Sequence, residues 1–140
     1  GAAGNKLSMA LYNAGISRDE IYITNVVKCR PPNNRVPNTN EKDACNGYLQ
    51  EEIAIIKPKI ICILGNTAFN SILGGSEITK HRGKTIKKDN QIYFLTIHPA
   101  AAIYNQELIG TLNSDIAKLF GMVRGLKEGK EIRIDIEYTA

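Results

Sequence analysis

Several things are missing from this chain. No apolar run approaches the ~20 residues that a membrane-spanning helix needs, the longest clean one being Ile60-Ile61-Cys62-Ile63-Leu64. The opening residues, Gly1-Ala2-Ala3-Gly4-Asn5-Lys6, carry neither the basic nor the apolar stretch of a secretory signal. A spanning helix is therefore excluded, and an intracellular, cytoplasmic location is expected. Cysteine is scarce: three residues, an odd number, with no CxxC pair. In a reducing compartment that argues against a disulfide framework and leaves free thiols or metal ligands. P-loop, GxGxxG, HExxH and GxSxG motifs are absent, as are internal repeats and low-complexity segments.

What remains is ordinary globular composition. The 140 residues are 43% hydrophobic and 23% charged, enough for one core and one domain, expected to span residues 1–140. Lys plus Arg exceeds Asp plus Glu by four, and the pI is near 9.0. That mild excess suits a polyanionic partner without demanding one.

Periodicity organises the chain. Leu7, Ala10, Leu11 and Ala14 follow helical spacing, so residues 5–14 read as a helix stopped by Gly15. Residues 21–27 (IYITNVV) are β-branched and aromatic, a strand pattern. The stretch 30–40, with three prolines and four asparagines, is loop chemistry. A second helix carries Cys45, Tyr48, Leu49, Ile53 and Ile56 and ends at Pro58. Residues 59–64 then form a buried strand, and Gly65 opens a helix that closes at Gly74-Gly75. Residues 78–88 are a basic, turn-containing stretch around Gly83. Another strand, 91–97, ends at His98-Pro99, and a long helix carries Leu112, Ile116, Leu119, Phe120 and Val123. The tail alternates Ile132, Ile134, Ile136 and Tyr138, an edge-strand pattern. The β–α–β alternation predicts an α/β fold with a parallel sheet between helical layers. Ligands in such folds bind outside the carboxyl ends of the strands, here Asn25 to Cys29, Gly65 to Thr67, and His98-Pro99.

Each of these places offers chemistry beside a plainer reading. Asn25 stands late in an apolar strand, where its carboxamide can read an amide-like edge or cap its own loop. His98, held extended before a proline, can donate to a leaving group or serve as a partly exposed structural residue. Cys29 and Cys45 lie 16 positions apart; they could be half of a four-thiolate metal or iron–sulfur site, or a free thiol and a core residue. Cys62 reads as core packing. Lys80, Arg82, Lys84, Lys87 and Lys88 form the densest basic segment, able to neutralise phosphates or simply to solvate a turn. Gly65-Asn66-Thr67 could present helix amides to a phosphate.

Taken together, the stretch 21–32 (ending in ITNVVKCRPP), Cys45, Ile63-Leu64-Gly65 and His98-Pro99-Ala100-Ala101 resemble the iron–sulfur uracil-DNA glycosylases of family 4, also labelled phage DNA polymerase-related proteins. The resemblance runs from Gly1 to about Val123. It implies a three-layer αβα fold around a central parallel sheet and excision of uracil during base excision repair. Asn25 would read uracil's polar edge and His98 would stabilise the departing base. The basic residues Lys80, Arg82, Lys84, Lys87 and Lys88, with Thr67, Pro99 and Ala100, are expected from their own chemistry and position to contact DNA. Cys29 and Cys45 would supply the third and fourth ligands of a [4Fe–4S] cluster. The family's first motif, its first two cluster cysteines and its first strand lie upstream of anything in this sequence. The chain is therefore expected to be an N-terminally shortened fragment, its cluster absent or incomplete, with residues 126–140 as a C-terminal extension. Two other functions compete with excision: a catalytically inactive truncated relative that only binds nucleic acid, and an αβ domain serving protein contacts.

Overall fold

Runs of β-branched residues and apolar stripes at helical spacing become a four-stranded sheet between two layers of helix. A computed structural model describes residues 2–17, 20–24 and 49–138. Helix α1 (Ala2–Asn13) is followed, after the described segment 20–24, by helix α2, seen over residues 49–56. Then come β1 (Ile60–Leu64), α3 (Gly65–Leu73), α4 (Ile78–His81), β2 (Thr85–Lys88) and β3 (Gln91–Thr96). Helices α5 (Ala101–Tyr104) and α6 (Glu107–Lys127) and strand β4 (Ile136–Tyr138) complete the order.

The sheet order is β1-β3-β2-β4. Strands β1 and β3 are parallel, with Leu64 opposite Thr96, and β4 runs parallel to β2. Strand β2 is antiparallel to β3, so the sheet is mixed rather than wholly parallel. The cause is local. Asp89 and Asn90 both take positive φ, 50° and 66°, the backbone of a two-residue hairpin turn. That turn converts the end of the basic stretch, Thr85 to Lys88, into a strand.

Side chains alternate across the sheet. Ile61 and Ile63 of β1, Tyr93 and Leu95 of β3 and Ile86 of β2 meet Phe69, Leu73 and Ile78 on one face. Each fully buried Leu, Ile or Phe contributes about 1.5–3 kcal/mol, so this cluster is a main source of stability around β1 and β3. On the other face Thr85 and Thr96 meet α6 through Met122 and Asp115. There α1 and α6 pack through Ala10, Leu11, Leu112 and Ile116 against Ile97. The result is three layers, α/β/α.

The tail is part of the sheet. The Asp135 N–H donates to the Thr85 carbonyl and the Thr85 N–H donates to Asp135 Oδ2, both at 2.9 Å, which sets β4 beside β2. Residues 21–24 of the expected first strand lie outside the four-stranded sheet, and 25–27 lie outside the described residues. No helix among the described residues is long and apolar enough to cross a membrane.

Candidate active site

Strands β1 and β3 end side by side, and the chain leaves each in a different way. From β1 it turns at once into α3 through Gly65, which holds φ +89°. From β3 it continues through buried Ile97 to His98 and then Pro99. A Cβ placed on Gly65 would lie 2.8 Å from the Cβ of His98. Both the left-handed backbone and the close approach require glycine there.

His98 is fixed from behind. Its Nδ1 accepts the Ala100 N–H at 3.0 Å, and its carbonyl accepts the Ala101 N–H at 3.0 Å. With Nδ1 used as an acceptor, the neutral ring carries its proton on Nε2, the nitrogen that remains to donate. Partial burial lowers the His98 pKa below its usual 6.5, because a desolvated imidazolium is disfavoured. The ring is therefore a neutral donor at pH 7. Pro99 is buried and Ala100 half-buried, so this turn presents backbone and one ring more than a broad side-chain surface.

Beside it, α3 begins with exposed Asn66 and Thr67. Asn66 Oδ1 accepts the Ile78 N–H at 2.7 Å, joining the start of α3 to α4. The turn after α4 is tied to β3, with the Gly83 N–H donating to the Leu95 carbonyl at 2.6 Å. Arg82 and Lys84 therefore stand at the His98 end of the sheet. The basic segment does not stay together, however. Since β2 runs against β3, Lys88 pairs with Gln91 and Lys87 with Ile92. This places Lys87 and Lys88 toward the opposite end, roughly 13 and 17 Å from Thr96 along β3 at 3.3–3.4 Å per residue. Lys80 is exposed and pairs with Glu77 at 3.3 Å.

A buried carboxylate lies beneath the site. Asp115 of α6 is 4% exposed. Its Oδ2 accepts the hydroxyl of fully buried Thr96 at 2.7 Å and lies 3.3 Å from Arg82 Nε. Lys118, one turn further along α6, donates to the Gly83 carbonyl at 2.7 Å. Thr96 and Asp115 were not among the residues singled out from the sequence. The available signal was an aspartate on the apolar stripe Leu112, Ile116 and Leu119.

Asn25, Cys29 and Cys45 lie outside the described residues. The segment leading to Asn25 is anchored, since Tyr22 Oη and Thr24 Oγ1 donate to the two carboxylate oxygens of Glu52 on α2, at 2.5 and 3.1 Å. Cys62, inside β1, does not fit a metal ligand. Burial pushes its thiol up to about 12, and the Asp115 carboxylate adds to the shift, whereas a ligand must be a thiolate. Among the described residues no group of three or more His, Cys, Asp or Glu side chains could hold a metal ion.

This chain belongs to the uracil DNA glycosylase superfamily, whose family model matches residues 1–119. It is 46% identical over 129 residues to the type-4 uracil-DNA glycosylase of Sulfurisphaera tokodaii, a match covering 85% of this chain and 59% of that protein. Against the type-4 enzyme of Thermotoga maritima it is 40% identical over 134 residues, 92% of this chain and 69% of that protein. A DNA polymerase of Bacillus phage SP01 matches 89% of this chain at 32% identity, over 14% of its own length. The chain thus spans about three-fifths to two-thirds of the curated type-4 relatives it matches.

Proposed function

We propose that the protein carrying this chain excises uracil from DNA by hydrolysing the bond between the base and the sugar. The observation that carries the reading is His98 in the Nε2–H tautomer at the strand ends, pinned by the Ala100 N–H, in a chain of this superfamily. Uracil inside a duplex is out of reach, so it is flipped into the site. The Asn25 carboxamide donates to uracil O4 and accepts from N3–H. Cytosine reverses both groups and leaves the amide unpaired, which gives strong discrimination. As the N1–C1′ bond breaks, its electron pair stays on the base, and negative charge builds on O2. His98 donates its Nε2–H to that oxygen. A preorganised donor of this kind contributes on the order of 3 kcal/mol to the transition state. Water adds at C1′ and gives up a proton that ends on the uracil anion, the DNA phosphates favouring the cationic sugar meanwhile. Arg82, Lys84 and the first turn of α3 at Thr67 hold phosphates near the flipped base, and Lys80, Lys87 and Lys88 add more distant charge. The substrate, DNA, sets the compartment inside the cell.

Cys29 and Cys45 are assigned as two of the four thiolates of a [4Fe–4S] cluster. When bound it would serve as a structural cross-link, and no step of the hydrolysis passes through it. Counting iron and sulfide per chain in the intact protein, and again in Cys29→Ser, tests that assignment.

The function is tested by incubating the intact protein with oligonucleotides that differ only in carrying one uracil or one cytosine, then cleaving abasic sites with alkali. Cleavage at uracil alone, lost in Asn25→Ala, is expected. No cleavage at uracil, with salt-sensitive binding retained, would overturn the reading in favour of a binding module.

A further inference from the structure

The geometry points to Thr96 and Asp115 as positioning residues that set His98 from beneath, a role that rests on the uracil-excision reading. Three separate segments converge on one carboxylate: the end of β3 through Thr96, the turn after α4 through Arg82, and α6, which carries Asp115 itself. The turn approaches so closely that a Cβ on Gly83, at φ +76°, would lie 3.3 Å from Asp115 Oδ1. Burying a carboxylate is costly, and a well-packed apolar pair at the same place is commonly as stable or more so. What the polar arrangement adds is direction, because a 2.7 Å hydrogen bond admits one rotamer and one spacing where apolar contacts tolerate several.

That direction matters because His98 stands just beyond Thr96 in the chain. Only Ile97 separates them, itself locked in the α1–α6 core. Gly65 bounds His98 on one side and the Ala100 N–H holds its ring. Thr96 fixes the point from which this short segment departs. Losing the hydroxyl leaves Asp115 with one donor fewer and lets the strand end settle elsewhere. Misplacement by about 1 Å at a reacting group can cost about a hundredfold in rate. The same carboxylate engages Arg82, so a cation at the DNA-facing turn and the donor to the base share one anchor.

The test uses the intact protein, with steady-state kinetics on a single-uracil oligonucleotide and ¹⁵N resonances of the His98 ring. The variants are Thr96→Val, Thr96→Ser and Asp115→Asn, with Ile86→Val as a control, a buried change in the cluster on the opposite face. Thr96→Val is expected to lower kcat tenfold to a hundredfold with KM within about twofold, and to move the His98 resonances. Thr96→Ser restores both. Asp115→Asn lowers kcat in the same way, and Ile86→Val lowers the melting temperature without touching kcat. Thr96→Val with wild-type kcat and unmoved His98 resonances, whatever its melting temperature, would overturn the role. Resonances that move and return as expected, with no uracil released even by the wild type, would uphold the positioning and overturn the excision reading alone.

Discussion

Gly65 and His98 come off neighbouring parallel strands so close together that a single added Cβ on the first would stand 2.8 Å from the Cβ of the second. Real Cβ atoms do not approach carbon that closely, and neither atom is the free end of a flexible chain. Gly65→Ala must therefore displace the His98 turn, besides straining a backbone at φ +89°. The expected outcome is a loss of uracil release of at least about tenfold, with destabilisation of about 1–3 kcal/mol. Gly121→Ala, in mid-α6 with nothing within 4 Å of the new atom, should instead leave activity alone and stabilise by up to about 1 kcal/mol. Thermal melts and rates on the two variants side by side check this.

On the excision reading, the state of the His98 ring sets the acid side of the pH profile. Its pKa is lowered from 6.5 by partial burial, so the folded protein favours the neutral ring. Protonation would also turn Nδ1 into a donor facing the Ala100 N–H. Activity should hold at pH 7 and fall on an acid limb centred below 6.5. Stability has the same sign: the unfolded chain takes up the proton first, so the His98 contribution is lost as pH falls from 6.5 through the lowered value. His98→Gln, which keeps a neutral donor, should lose that limb from its rate profile. A limb centred above 6.5 would mean that the imidazolium is the working form.

The split of the basic segment predicts unequal charge effects on DNA binding. Neutralising Lys84 together with Arg82, at the His98 end, should weaken binding and reduce the slope of log K against log salt by about one per lost phosphate contact. Neutralising Lys87 and Lys88, beside the far hairpin turn, should change it much less. Equal slopes for the two double variants would show that the duplex covers both ends of the sheet.

Cys62 should be the inert thiol of the chain. With its pKa pushed up to about 12, it carries almost no thiolate at pH 8, and peptide mapping after alkylation of the native protein should find it unmodified. The raised pKa also makes it a source of alkaline lability. Stability is intact below the ordinary value of 9.0 and declines as pH rises through the folded one, because only the unfolded chain releases the proton readily. Cys62→Ala should flatten the decline of melting temperature above pH 9.

The elements with strong periodicity were legible in the sequence. The stripe of α1, the apolar run of β1, the strand ending at His98 and the long α6 stand where spacing places them, and so does the edge strand at the tail, shortened to Ile136–Tyr138. Strand β2 was hidden because lysines at 84, 87 and 88 mask its alternation. Its identity depends on the hairpin turn at Asp89-Asn90, where both residues take a positive φ that Asp and Asn tolerate. His98 was visible as a histidine leaving a strand before a proline. Its tautomer was not, since that depends on which backbone amide turns back to meet it. Thr96 and Asp115 are 19 positions apart, and no local pattern connects them. A buried aspartate on an apolar stripe says only that a partner exists somewhere.

The most direct test of uracil excision through His98 is single-turnover release of free uracil from a duplex carrying one uracil, comparing the intact protein with His98→Ala. Release by the wild type, slowed on the order of 10²–10³-fold in the variant, is the predicted result. Equal rates from the two proteins, or no release from the wild type, would contradict it.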